Sequence, residues 1–191
     1  MIDKGIRFIL KKLTIARSFF YLILYKFMYS EFVFKDKVFL DRFVRIKITN
    51  NGSITINENC TIERNCTLVA KWGHIEVGEN TFIGEGSILV ANSGIEVGQN
   101  CLIASGVTIR DQDHGIYDLA IPIRHQKVST EKISIGSDVW IGTKATILKG
   151  VCIGDQSVIG ANSVVTKSVP PRVIAVGSPA KIIKYRTVKN I

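Results

Sequence analysis

Three histidines and four cysteines are all that this 191-residue chain offers as soft metal ligands. Cys60 and Cys66 are six apart while Cys101 and Cys152 stand alone, a scatter that matches neither the close-paired zinc spacings nor a disulfide framework. Long apolar runs are missing as well. The stretch SFFYLILY (18–25) stops at Lys26 with no small-residue cleavage site after it, so no secretory signal is expected. It also falls well short of the roughly 18 uninterrupted apolar residues of a spanning helix. The basic residues neither interleave with aromatics on strands nor form a binding motif, which argues against nucleic acid as a partner.

Acidic side chains are in short supply, 16 against 25 Lys and Arg, for a net charge of +9. The surplus is concentrated in residues 1–37, where Lys4, Arg7, Lys11, Lys12, Arg17, Lys26, Lys35 and Lys37 face only Asp3, Glu31 and Asp36. Such a segment suits an anionic neighbour, a membrane surface or a phosphate-bearing ligand, or else is a solvated face with no partner. Residues 2–28 predict a helix with Ile2, Ile6, Ile9, Leu10 and Leu13 on one side and the early lysines on the other. That helix can cap the domain, pack on a partner subunit or lie on a membrane. The length is that of one domain.

From Ile135 an aliphatic residue recurs at every sixth position, through Ile141, Ile147, Ile153 and Ile159 to Val165. The units read IGSDVW, IGTKAT, ILKGVC, IGDQSV, IGANSV and VTKSVP, with Gly usually second and a small or β-branched residue fifth. A helix would carry those glycines at about 1 kcal/mol each, whereas a short strand and a turn accommodate them. The same phase appears upstream in INENCT and IERNCT (56–67), VGENTF and IGEGSI (77–88), and VGQNCL, IASGVT and IRDQDH (97–114). This is the pattern of a solenoid, with three strands and about 18 residues per coil. Cys60, Cys66 and Cys101 then become small core residues at the fifth position. Spacings of 21 (Ile56 to Val77) and 20 (Val77 to Val97) put small insertions near KWGH (71–74) and ANSG (91–94). The interval from Val97 to Ile135 exceeds twice a coil's length and leaves an excursion, Gly115 to Ser134, directly after His114. Loops extruded from a rigid scaffold are where binding and catalysis concentrate.

Two stretches, VWIG (139–142) and VPPRVIAVGSPAKII (169–183), together with the DQDHG that interrupts the repeats, closely resemble the hexapeptide-repeat acetyltransferases of the sugar and antibiotic branch. The resemblance covers residues 38–184 and implies an all-β solenoid, a left-handed parallel β-helix working as a homotrimer on acetyl-CoA, with no metal. Residues 1–37 would form an N-terminal helical and basic segment, 38–170 the repeat body with its loop 115–134, and 171–191 a closing loop and cap. By the same resemblance His114 matches the general base. A sugar hydroxyl needs a base of near-neutral pKa as it attacks the thioester, and imidazole fits that demand. Asp113, Asp111 or a loop carbonyl would hold its second ring nitrogen. Trp140 matches a tryptophan lining the family's active site, or packs between subunits. For coenzyme A the matching positions are Thr143 and Ala161 along the pantetheine arm, then Thr166, Lys167 and Lys184 toward the nucleotide, with Arg172 close by; each cation is alternatively a solvated charge.

One departure concerns the acceptor: where the galactoside branch carries an Asn, this chain has Gly84 followed by Glu85. The N-terminal segment, basic and rich in aromatics, points to work beside a membrane. The expected protein is therefore a cytoplasmic O-acetyltransferase, either free or peripheral at the inner membrane face, acting on a nucleotide sugar, lipid-linked oligosaccharide or polymer in surface-polysaccharide synthesis. The competing readings are an N-acetyltransferase on an amino sugar and a noncatalytic β-solenoid scaffold. A metal-dependent carbonic anhydrase is the remaining rival; it needs three converging histidines, and the spacing of His74, His114 and His125 does not match it.

Overall fold

The computed structural model describes residues 4–187, with side chains from Lys12 onward. Of the predicted apolar helix side, Ile2 and the side chains of Ile6, Ile9 and Leu10 lie outside the described residues, as does the chain end 188–191.

Each six-residue unit folds as a short strand and a corner. The sixth residue points outward, the first points inward, and the fifth points inward from the start of the next strand; Trp140 is thus exposed while Val139 and Ile141 are buried. The fourth residue turns the corner in the left-handed region, as at Asn59, Asn65, Asn80, Asn100 and Asn162 and at Gly86, Gly106 and Gly150. Asn and Gly reach that region at the lowest cost, which is why they recur there.

Three such units close a coil, and equivalent strands of successive coils pair in parallel and in register. Val97, Ile135 and Ile153 stack on one face, Ile103, Ile141 and Ile159 on the second, and Ile109, Ile147 and Val165 on the third. We call these faces A, B and C. Faces A and C each hold six strands; face B holds eight, because Val173–Val176 and the antiparallel Lys181–Tyr185 extend it. The coil begins at Phe32–Phe34, which pairs with Ser53–Ile56. The interior is a column of fully buried aliphatic side chains, each contributing about 2 kcal/mol.

Fifth-position residues also link the coils. The thiols of Cys60, Cys66 and Cys101 donate to the carbonyls of Gly78, Gly84 and Gly136 at 3.0–3.1 Å. The hydroxyls of Thr81 and Ser87 do the same to Gly98 and Ala104.

Helix α1 (Lys4–Met28) closes the open end of the first coil. Leu22 enters the core, the Leu40 amide donates to the buried Ser18 hydroxyl at 2.8 Å, and the Tyr25 hydroxyl donates to the Val44 carbonyl at 2.7 Å. Arg17 pairs with Asp41 at 2.7 Å. The inward stripe is thus formed by Ser18, Leu22 and Tyr25, at the i, i+4, i+7 spacing of one helix face.

Candidate active site

The chain leaves the coil earlier than the sixfold register predicts. The face C strand of the fourth coil ends at Arg110, and Asp111 follows as a fully buried carboxylate. It accepts the backbone N–H groups of Asn92, Ser93 and Gly94 at 2.6–3.0 Å, tying the fourth coil to the turn beneath it. These amides engage both oxygens of Asp111. Gln112–Asp113 then pairs antiparallel with Ser129–Thr130, and the chain re-enters face A at Ile133–Ile135. His114 therefore stands on a two-stranded stem at the C-to-A corner rather than within a coil strand. A Cβ at Gly115 would lie 2.8 Å from the Lys127 carbonyl, so the returning limb of the loop presses directly on that glycine.

His114 is exposed and lines a cavity of roughly 480 Å3 with Asp113, Tyr117, Lys127, Ser129 and Lys149. The Lys149 ammonium lies 3.8 Å from the Asp113 carboxylate. Lys149 was not anticipated from the sequence, although a signal was there: it sits one full coil before Lys167, and the pairing of Ile147 with Val165 stacks the two lysines on the same corner. Tyr117, Lys127 and Ser129 belong to the excursion, whose path no repeat dictates.

Most of the other expected site residues lie elsewhere on the prism. Trp140 is 54% exposed on face B, in a separate hollow with Leu102 and Val158. Thr143 and Ala161 stack on the B-to-C corner, both exposed. Thr166 and Lys167 follow face C on the same corner as His114. Arg172 occupies the A-to-B corner with φ 60°, beside Gln156 and Arg186, and Lys184 pairs with Ile174 on the outer strand of face B. One chain brings His114, Asp113, Lys149, Thr166 and Lys167 to one corner and leaves Trp140, Thr143 and Ala161 elsewhere. Gly84 lies 2.7 Å, at its Cβ position, from the Ser105 amide, and Glu85 bonds Arg64 at 2.8 Å, which holds its carboxyl below the usual range.

A hollow of about 780 Å3 runs along face A past Glu76, Glu96 and Cys152, away from the His114 stem. His74 is on that face, bonded to Glu96 at 3.1 Å, and His125 is in the loop, so the three histidines do not converge. Among the described residues no group of three or more His, Cys, Asp or Glu side chains could hold a metal.

Two stretches match family models, residues 132–167 the bacterial transferase hexapeptide of six repeats and residues 74–110 the hexapeptide repeat of succinyl-transferase. A putative lipopolysaccharide biosynthesis O-acetyl transferase of Escherichia coli K12, WbbJ, is 34% identical over 145 residues, which cover 72% of this chain and 74% of that protein. The chain belongs to the hexapeptide-repeat acetyltransferase family. The galactoside O-acetyltransferase of the same organism is 37% identical over 58% of this acetyltransferase-family chain. The match spans only 54% of the galactoside enzyme's own length. The fold is also that of the N-acyltransferase AntD from Bacillus cereus, solved with dTDP and 3-hydroxybutyryl-CoA. Its TM-score is 0.72 at 26% identity, covering 86% of this chain and 88% of AntD. The parallel solenoid is thus the left-handed β-helix of these acyltransferases.

Proposed function

We propose that the protein transfers an acetyl group from acetyl-CoA to a hydroxyl of a saccharide, with His114 as the general base. The observation that carries this reading is the His114 stem. An imidazole stands at the edge of a cavity, with a basic ladder, Lys149 and Lys167, rising from it along the same corner.

In the proposed step the imidazole takes the hydroxyl proton as the oxygen attacks the thioester carbonyl. The tetrahedral oxyanion is held by backbone N–H groups, and the coenzyme A thiolate departs. Thiolate is a good leaving group, so no strong general acid is needed. Asp113 orients the imidazole, the Lys149 ammonium stands 3.8 Å from the Asp113 carboxylate, and Lys167 lies toward the coenzyme's phosphates. Thr143, Ala161 and Trp140 complete the groove from a neighbouring copy, because within one chain they lie away from the His114 corner. A trimer of parallel prisms brings the two regions together. Thr166, Arg172 and Lys184 lie along the nucleotide end, and surface-polysaccharide synthesis is the setting that WbbJ suggests.

A second reading, N-acylation of an amino sugar carried by a nucleotide, draws on the likeness to AntD, a mutant of which was solved with dTDP-4-amino-4,6-dideoxyglucose and coenzyme A. Purified protein with acetyl-CoA, assayed against matched hydroxyl and amino acceptors, separates the two. His114→Ala is expected to lower turnover about 100- to 10,000-fold while leaving coenzyme A binding and assembly mass unchanged. Turnover near the normal rate in that variant would overturn the assignment.

A further inference from the structure

We propose that the turn carrying Trp72 is a binding subsite for an oligosaccharide, stacking a sugar of the acceptor chain remote from the hydroxyl at His114; the inference rests on the acetyl-transfer reading for what His114 does. Between Ile147 and Ile153 the chain passes from face C to face A within one six-residue unit. The equivalent pair after the second coil, Leu68 and Val77, is spaced nine residues apart. The added length is KWG (71–73), which carries Trp72 outward to 61% exposure. The backbone around the indole is fixed. The Lys71 amide donates to the Ala91 carbonyl at 2.9 Å, and the Ser53 amide donates to the Gly73 carbonyl at 3.2 Å. A Cβ at Gly73 would lie 2.5 Å from the Ser93 backbone, so the turn is pressed onto its neighbour in the next coil. An exposed Trp on a turn already ordered is a pre-organised platform, and Trp is among the side chains most enriched where binding energy concentrates.

The place of the turn identifies its ligand. His114 divides the C-to-A corner. Above it stand the cations Lys149 and Lys167, suited to the coenzyme. Below it the turns after the first three coils read TNNG (49–52), KWG (71–73) and NS (92–93), amides and hydroxyls around one indole with Lys71 as their one charge. Asn50, Asn51, Trp72 and Ser93 are exposed. A sugar ring offers C–H groups on its face and hydroxyls at its edge; an indole stacks on the first, and amides and hydroxyls bond the second. These turns are joined to the stem of His114. The Asn92 carboxamide donates to the Gln112 carboxamide oxygen, and Asp111 holds the Asn92 and Ser93 amides. Parallel strands repeat at about 4.8 Å, so the turn of Trp72 stands about 10 Å below the excursion. A single sugar at His114 does not span that distance, whereas a chain of sugars does.

The test uses the full chain on an array printed with neutral and acidic monosaccharides and with oligosaccharides built from the same sugars. The wild type is expected to be retained by oligosaccharides of at least one sugar type about tenfold or more above the matching monosaccharide. Trp72→Ala should lose about tenfold or more of that binding and Trp72→Phe should recover most of it, both at the wild-type melting temperature and assembly mass. In turnover with the retained oligosaccharide, Trp72→Ala should lower kcat/KM chiefly through KM, as for a contact remote from the reacting atoms. Equal retention of monosaccharides and oligosaccharides, or retention of neither, would overturn the proposal. So would wild-type binding by Trp72→Ala, or a changed assembly mass in that variant, which would assign the indole to a contact between copies. His114→Ala should still be retained by the array. Normal turnover in His114→Ala alongside Trp72-dependent retention would therefore remove the base and leave the subsite standing.

Discussion

At Cys66 the packing of a single thiol has a measurable consequence. Burial pushes its pKa from 9.0 up to about 11, and burial likewise raises Cys60 and Cys101. Cys152 points outward from face A. At pH 8 a thiol reagent should therefore titrate Cys152 in the native protein and reach the other three only after unfolding. The raised pKa also fixes a sign. The folded thiols keep their protons where the unfolded ones lose them, so this stabilisation is complete below about pH 9 and disappears as pH rises toward 11. Urea midpoints measured across that window should fall. A corner residue makes the complementary case. Asn162 has φ 56°, so Asn162→Val should cost about 1–2 kcal/mol in denaturant unfolding, while Asn162→Gly should cost far less.

At the scale of elements, the helix and the excursion stem are held by few but specific contacts. Leu22→Ala removes the side chain that α1 inserts into the core and should destabilise by about 2–5 kcal/mol. Asp111→Ala would leave the amides of Asn92, Ser93 and Gly94 without their buried acceptor, and a loss of about 3 kcal/mol or more is expected. Because Asp111 ends the fourth coil's strand, this variant should also loosen the stem carrying His114. Faster amide hydrogen exchange at Gln112–Asp113 and Ser129–Thr130 would report it. The sequence showed that an excursion exists, since the interval from Val97 to Ile135 is too long for a single coil. It did not show that Asp111 and the Gln112–Asp113 pairing take the chain off the coil before His114. Those depend on partners in the preceding coil and across the excursion, which no local pattern announces.

For the whole molecule, the distribution of site residues over different corners makes the assembly the unit of function in the proposed mechanism. His114→Ala and Trp140→Ala chains, each impaired alone, should recover activity when assembled together. At random mixing about a quarter of the interfaces would pair an intact His114 with an intact Trp140. No recovery in verified mixed assemblies would count against a shared site.

The repeat itself is decided by the sequence. Aliphatic residues at every sixth position, with Asn or Gly three places later, specify strand and corner by local sterics, and in-register stacking follows because like positions bury against like. That a histidine stands where the rhythm breaks was legible for the same reason. Tertiary structure decided what meets what. Asp111 is consumed by a turn, Lys149 is stacked beneath Lys167 and lies beside Asp113, and α1 is turned so that one side closes the coil and the other faces solvent. These outcomes depend on contacts between residues far apart in the chain, where the partner is chosen by the geometry of neighbouring coils rather than by the period of the sequence.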